Sequence, residues 1–584
     1  MTSAPPAAAA RLRGPGLLSM KNLLRIAIPL LAVLTVASSG LARPKRHGAA
    51  TRPNVLVVMT DDQTIYELWA MRNVERYMVH GGTTFDNMFA TFPLCCPSRA
   101  TFLTGQYSHN TGVVGNNAAL GYDRFDQSRT LAVWLKRAGY HTIMVGKYLN
   151  GYLRRAPRYV PPGWDDWHAA LKLAYLGYTM NDNGTVHAYG TKRSNYQTDV
   201  FTQKALAAIR AAPKRRPFFM WLSYFAPHYG GPTDPDDPPG LLTPSPPWRF
   251  RDRFQRTLLP VTPSFNERDV SDKPADIRRR PLLTTAKISA IREEYEQRLE
   301  SLLAVDEGFG KIVSLLRKRG QLGRTLILFT SDNGYVFGQH RLFSGKVFPY
   351  EPAIRVPLLM RGPGVPANVH LSQLVGNIDM APTIVDSARA HPDLTQDGRS
   401  LWPLLRDRGL EWGRDIVIER GPGERLFGPS KFIGVRTPRF AYFQYSTGEK
   451  ELYDLDADPD ELQNEAGSPE YHTVESELAK QFGELRDCGG AVCRRGPDVS
   501  VTLLPEGTCP TSVVRAKVSG GDERNVEYAD FVVGRRHFPH TTAPFEQVVP
   551  RETFLVRMRT LVVLNDGRRL TLDRDIPPCV ATQR

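Results

Sequence analysis

Asn54-Val55-Leu56-Val57-Val58-Met59 runs straight into Thr60-Asp61-Asp62-Gln63, and Thr325-Leu326-Ile327-Leu328-Phe329 runs into Thr330-Ser331-Asp332-Asn333-Gly334. Both runs are apolar and rich in branched side chains, of strand length, without the polar alternation of a half-exposed strand. That pattern belongs to central strands buried on both faces. Between them, Ile288, Ile291, Tyr295, Leu299, Leu302 and Leu303 recur at helical spacing with charges interleaved. Alternating strand and helix signals across residues 50–405 predict an α/β fold, a large and mostly parallel sheet sandwiched by helices. In such sheets ligands bind at the carboxyl ends of the strands. Asp61-Asp62 and Asp332-Asn333 stand at those ends.

Outward from this core, Gly230–Pro281 is rich in proline, arginine and aspartate and reads as a long surface insertion forming part of a site rim. Asn183-Gly184, between Tyr178-Thr179-Met180 and Val186-His187-Ala188, reads as a hairpin turn. Asn183-Gly184-Thr185 also fits a glycosylation sequon. After about Pro403 the pattern changes to short strands and turns. The expected division is a catalytic domain over 50–405, an α+β subdomain over 406–496 and a small β-rich appendage over 497–584. No internal repeat is visible.

The chain has 584 residues, 41% of them hydrophobic and 23% charged, a globular and not a disordered composition. Its formal net charge of +15 favours anionic ligands. No recognition helix, RNA-binding signature or zinc-finger spacing points to nucleic acid. Lys21 and Arg25 precede an apolar run from Ile26 to Val36, and small residues follow up to Gly40-Leu41-Ala42. This predicts an export signal over residues 1–42, with translation start at Met20 as a variant, and hence a secreted or cell-envelope protein. The run is too short for a confident membrane span, and no second such run follows. An exported chain permits disulfides. Spacing suggests Cys488 with Cys493 and Cys509 with Cys579. Adjacent Cys95 and Cys96 rarely bond each other and need another explanation.

That explanation lies in Pro93-Leu94-Cys95-Cys96-Pro97-Ser98-Arg99-Ala100-Thr101-Phe102-Leu103-Thr104-Gly105. Pro97 suits the first turn of a helix. Cys95 then sits at a helix N-terminus, where free amides favour an anion, with Arg99 one turn further on. Taken alone, this is equally a buried cysteine pair on a structural helix, and each acidic pair is equally a turn or cap. Together, at two strand ends, Asp61, Asp62, Asp332 and Asn333 supply the hard oxygen ligands that calcium prefers, with magnesium the alternative.

The Cys-x-Pro-Ser-Arg segment with its Thr-Gly ending resembles the signature of the formylglycine-dependent sulfatases of the alkaline phosphatase superfamily. Gly139-Tyr140-His141-Thr142-Ile143-Met144-Val145-Gly146-Lys147-Tyr148 resembles that family's second signature. The resemblance spans residues 53–465. It implies that Cys95 is converted to formylglycine (3-oxoalanine) by a formylglycine-generating enzyme and joins the metal shell. It also implies roles for Lys147 and Lys346 (in Ser344-Gly345-Lys346) on the sulfate, for His228 (in Phe225-Ala226-Pro227-His228) on sulfate or leaving oxygen, and for Arg99 in the catalytic centre. His340 is a further substrate-contact candidate, and His109 a neighbour of the cysteine helix. Many members carry a histidine two residues after the signature lysine. Here Leu149 stands there, which leaves the protonation scheme of the arylsulfatases open for this chain, and Asn150 becomes a candidate sugar contact. The double cysteine and this variant resemble the N-acetylglucosamine-6-sulfatase branch, which implies a sulfated glucosamine-type substrate. A broad arylsulfatase, a phosphodiesterase or phosphonate hydrolase of the same superfamily, and a non-catalytic glycan-binding protein are the competing readings.

Overall fold

In the computed structural model, Asn54–Thr60 is buried at every position and so is Thr325–Ser331. That is the environment their uninterrupted apolar patterns require. The structure describes residues 52–579 apart from 153–156, 409, 411, 422–430, 496–498, 508, 510–511, 520–525, 553–554 and 565–568. The expected export signal over 1–42 and the boundary at Pro497 lie outside the described residues.

The two strands pair in parallel, with Thr60 opposite Ser331. Phe218–Ser223 pairs in parallel on the other side of Asn54–Thr60, followed by His141–Gly146 and Asp166–Ala170, also parallel. Antiparallel pairs appear towards the edges, although Val369–Leu371 again runs parallel to Thr83–Phe85. Leu358–Arg361 lies against Thr325–Ser331 and leads to Thr83–Phe85 and Val369–Leu371. At the opposite edge, Tyr178–Asp182 and Thr185–Tyr189 form a hairpin. Its turn residues, Asn183 and Gly184, both adopt positive φ, 51° and 87°, as the tight turn demands. The result is a ten-stranded, mixed but centrally parallel sheet.

Both faces of that sheet are covered. One apolar cluster joins Val55, Val57, Leu326, Leu328, Phe219 and Trp221 to the helices Cys95–Thr104 and Met380–Ala388. The other joins Leu56, Val58, Ile327, Phe329 and Met220 to Gln197–Ala211 and the 34-residue helix Thr285–Lys318. Successive strand residues face opposite ways, so odd and even positions feed different clusters. Each fully buried Val, Leu, Ile or Phe contributes about 1.5–3 kcal/mol.

Beyond this core, Ile416–Arg420, Phe432–Arg436, Phe440–Tyr445 and Lys450–Asp454 form a four-stranded antiparallel sheet against the helix His472–Leu485. The last segment builds two small antiparallel sheets around Val514, Ala516, Phe531, Met558 and Val562. Cys488 is bonded to Cys493, and Cys509 to Cys579, while Cys95 and Cys96 are free thiols. No helix among the described residues is long and apolar enough to cross a membrane.

Candidate active site

Parallel register builds the site. With Thr60 level with Ser331, the chains leave the sheet side by side and Asp61-Asp62 emerges beside Asp332-Asn333. The next two strands deliver their own residues at the same level. The Lys147 amide donates to the Ser223 carbonyl at 2.9 Å, and the Asp61 amide to the Ala226 carbonyl at 3.2 Å. Lys147 and the Phe225–His228 segment are thus drawn to the same sheet end. Gly146 has φ 111°, and a Cβ there would stand 1.9 Å from the Ser223 carbonyl oxygen. Only glycine lets these strand ends close up.

The cysteine segment begins a helix at Cys95, and Gly105 ends it in the left-handed region at φ 73°. Its serine and arginine fasten it to the strand ends. Ser98 Oγ donates to the Asp332 carbonyl and accepts from Asn377 Nδ2 at 2.9 Å. Arg99 is wholly buried; its Nε donates to Asp332 Oδ2 at 2.7 Å, and its Nη1 to Ser223 Oγ at 2.7 Å and the Lys147 carbonyl at 2.8 Å. Cys95 Sγ comes to rest 3.4 Å from Asp61 Oδ1 and 3.9 Å from Asp62 Oδ1. Lys346 Nζ lies 2.9 Å from that sulfur and donates to Asp62 Oδ1, and Lys147 Nζ donates to Asp61 Oδ2.

Three carboxylates, Asp61, Asp62 and Asp332, therefore face three cations, Arg99, Lys147 and Lys346, around one sulfur. Burial sets the titration. Burial and the charge of Asp332 push Asp61 up to about 7, against Lys147. Burial also opposes the charge of Asp62, but Lys346, with Lys147, holds it well below the usual carboxylate range. Burial and Asp61 push the Cys95 thiol up to about 12, so at neutral pH it is a thiol and a weak nucleophile. His228 Nδ1 donates to the Tyr229 carbonyl at 2.8 Å, leaving Nε2 3.7 Å from Asp62 Oδ2. Burial, helped by Lys346 and Lys147 and opposed by Asp62, brings this imidazole down to about 3.

Asp61, Asp62, Cys95 and His228 each offer a ligand atom, and these atoms all lie within 4.8 Å of one another. The oxygens Asp62 Oδ2 and Asn333 Oδ1 are buried with no hydrogen-bond partner. Unpartnered buried oxygens are costly unless a cation takes them up, so the donor set fits a hard divalent ion. Asp332 is more committed: Oδ1 accepts from the Asp62 amide at 3.0 Å and the Asn333 amide at 2.9 Å, while Oδ2 holds Arg99. Asp62 itself adopts φ 70°, a conformation Asp tolerates better than most residues. His109, Cys488 and Cys493 also lie together, but the two sulfurs are bonded to each other and both imidazole nitrogens are engaged.

Lys147, His228, Lys346 and Asn150 line a cavity of 710 Å³ at this sheet end. The insertion Gly230–Pro281 lends it Gly230, Leu242 and Arg280. His340 does not reach it. Its ring is buried, with Nδ1 2.7 Å from Glu267 Oε2, and it lies against Tyr350. His109 is likewise turned away, held by Glu419 Oε1 at 2.6 Å and the Cys488 carbonyl at 2.8 Å. The sequence offered no signal for Asn116 or Arg420, which also line the cavity, while Arg280 lies in the insertion expected at its rim. Asn116 and Arg420 come from segments distant in sequence and carry no motif.

Comparison with known proteins agrees with this geometry. The sulfatase family model matches residues 53–390, and the model described as N-sulphoglucosamine sulphohydrolase, C-terminal, matches 338–488. A Caenorhabditis elegans protein named as an extracellular sulfatase homologue is 37% identical over 400 residues, 65% of this chain and 54% of that one. Human N-acetylglucosamine-6-sulfatase is 32% identical over 494 residues, 76% of this chain and 86% of its own. A solved structure, described as in complex with its substrate D-glucosamine-2-N,6-O-disulfate, superposes with a TM-score of 0.64 at 26% identity, covering 74% of this chain and 97% of that one. The sheet, the helix-borne cysteine and the matched segments lead to one statement: the chain belongs to the sulfatase family and is a sulfatase, a sulfuric ester hydrolase.

Proposed function

We propose that this enzyme hydrolyses sulfate esters of glucosamine-type glycans, using Cys95 oxidised to formylglycine and a calcium ion held by Asp61, Asp62, Asp332, Asn333 and residue 95. The carrying observation is the position of Cys95 Sγ, buried at the first turn of its helix between Asp61 and Lys346. In this reading the sulfur stands in for an oxygen of the hydrated aldehyde. That hydrate supplies two hydroxyls on one carbon, one to attack sulfur and one to expel sulfate, while the cation polarises the oxygens it binds.

The remaining work falls to side chains of this chain. Lys346 reaches the residue-95 sulfur and Lys147 the neighbouring Asp61, so their ammonium groups suit the charge that grows on the sulfuryl oxygens. Arg99 is engaged with Asp332, Ser223 and two backbone carbonyls. Its role is to fix the helix and the carboxylates, with substrate contact left to the lysines. His228 faces the cavity with Nε2 unprotonated and can receive a proton at that atom, which it would then have to carry to protonate the leaving oxygen. Asn150, on the cavity wall with Oδ1 unpartnered, is placed for a sugar hydroxyl. His340, engaged by Glu267, is assigned to the loop's support. The glucosamine reading draws on the names of the human relative and the substrate-bound structure. The extracellular relative and the leader-like sequence support export.

Two measurements test this. Mass spectrometry of the Cys95 peptide should show a loss of about 18 Da, the change from thiol to aldehyde, and Cys95→Ala should keep the fold and lose turnover. A panel of 6-sulfated N-acetylglucosamine, an aryl sulfate and a phosphate ester, each with and without a calcium chelator, should show chelator-sensitive preference for the sugar. An encoded-mass Cys95 in active enzyme ends the formylglycine reading. Preference for the phosphate or aryl ester ends the glucosamine reading.

A further inference from the structure

Arg420 is the last residue of the strand Ile416–Arg420, and it is 4% exposed. A guanidinium so deep should be fully paired. Its neighbours on the strand are: Glu419 accepts from the Ser108 amide and holds His109, and Ile416 and Ile418 pack in a core with Phe432 and Phe443. Arg414, equally buried, has Asp379 as its counter-ion. Among the described residues Arg420 has no such partner. Its Nε and Nη1 are buried without any hydrogen bond among the described residues. Burial pulls its pKa down to about 10, with Asp276 opposing.

The unpaired group faces the cavity that Lys147, His228 and Lys346 line. Arg280 lines it too, and burial likewise lowers its pKa, again with Asp276 opposing. Asp276 is thus the one carboxylate felt by both arginines, and two cations share it. A buried, half-satisfied cation in a concave site is costly unless something anionic completes it. The wall beside it is apolar, formed by Phe92, Val114 and Phe348, which suits a sugar ring carrying its charge at the rim.

We infer that Arg420, with Arg280, forms a second anion subsite in the sulfatase pocket, one that selects substrates bearing an additional negative group besides the ester that is cleaved. This inference rests on the glycan reading above and deepens it. The additional group is an N-sulfo group on the same sugar or a carboxylate on the neighbouring one. Arginine suits either, because its planar fork binds two oxygens together.

The test uses the full, formylglycine-bearing enzyme and three substrates: N-acetylglucosamine 6-sulfate, glucosamine 2-N,6-O-disulfate, and a uronate-linked disaccharide carrying the same 6-sulfated N-acetylglucosamine. Wild type should favour one doubly charged substrate by about tenfold or more in kcat/KM, the worth of one charge-assisted hydrogen bond. Which one it favours identifies the source of the anion. Arg420→Gln should erase that preference through KM, leaving kcat and the singly charged substrate within about twofold, and Arg420→Lys should restore part of it. A loss of packing alone would lower all three substrates together. Should Arg420→Gln fail to fold, Arg280→Gln, at a less buried position, must reduce the same preference. Equal KM values for all three substrates in wild type, or equal losses in the variants, overturn the second subsite while leaving the glucosamine reading intact. Turnover of none of the three overturns both.

Discussion

Arg99 is the residue whose loss should be felt most widely. It is wholly buried, its Nε is 2.7 Å from Asp332 Oδ2, and its Nη2 is 3.8 Å from Asp61 Oδ2. Nη1 spans Ser223 Oγ and the carbonyls of Lys147 and Tyr148. Arg99→Gln keeps a polar side chain and deletes the charge. Asp332 would then stand buried with only two backbone amides for support, and three strand ends would lose their common donor. Breaking a buried ion pair from one side costs about 3–5 kcal/mol. The lost charge-assisted hydrogen bonds are part of that figure, not an addition to it. Urea unfolding of the catalytic core, read by tryptophan fluorescence, should show a loss of this size. The measurement is made in chelator, so that metal affinity does not enter. Asp332→Asn alone should also destabilise, because Arg99 then lacks its nearest anion. The double variant should recover about 2 kcal/mol or more relative to the sum, since the two neutral amides can bond each other. A single-variant loss below about 1 kcal/mol, or strict additivity in the cycle, would refute the claim that this pair locks the cysteine helix to the strand ends.

Two further outcomes follow from local structure. Burial opposes the charge on His109, but Glu419 and the Cys488 carbonyl outweigh it and push the imidazole up to about 9. A raised histidine stabilises the fold fully below its ordinary value near 6.5 and loses that contribution as pH climbs through about 9. Hence the urea-midpoint gap between wild type and His109→Gln should be wide at pH 6 and narrow steadily above pH 7; a gap constant with pH would exclude this pairing. Gly105→Ala forces a side chain into φ 73° and sets its Cβ 2.7 Å from Gln396 Nε2. We expect a loss of about 1–3 kcal/mol with turnover per folded molecule retained, and unchanged stability would contradict the helix stop described here.

The parallel sheet was legible because its strands are buried on both faces. Such burial leaves no room for polar residues, so Asn54–Met59 and Thr325–Phe329 announce themselves as unbroken apolar runs. The Asn183-Gly184 hairpin was legible because its turn needs positive φ at both positions. Asp61, Asp62, Asp332, Asn333, Cys95 and Arg99 could be picked out because they sit in short segments where strand end or helix start is visible locally. Lys147, His228 and Lys346 could not be singled out by residue type, since lone lysines and histidines occur everywhere on surfaces. They stood out only through family resemblance.

What the sequence by itself determined is therefore the central strands, the acidic residues at their ends and the helix that starts at Cys95. Each depends on interactions a few residues apart. Tertiary structure alone decided that His340 is engaged by Glu267 away from the cavity, that His109 belongs to the Glu419 junction, and that Arg420 joins the pocket wall. Those outcomes turn on side chains brought together across more than 70 residues of chain. The energy of such a contact depends on burial and on which partner arrives, and no local pattern encodes either.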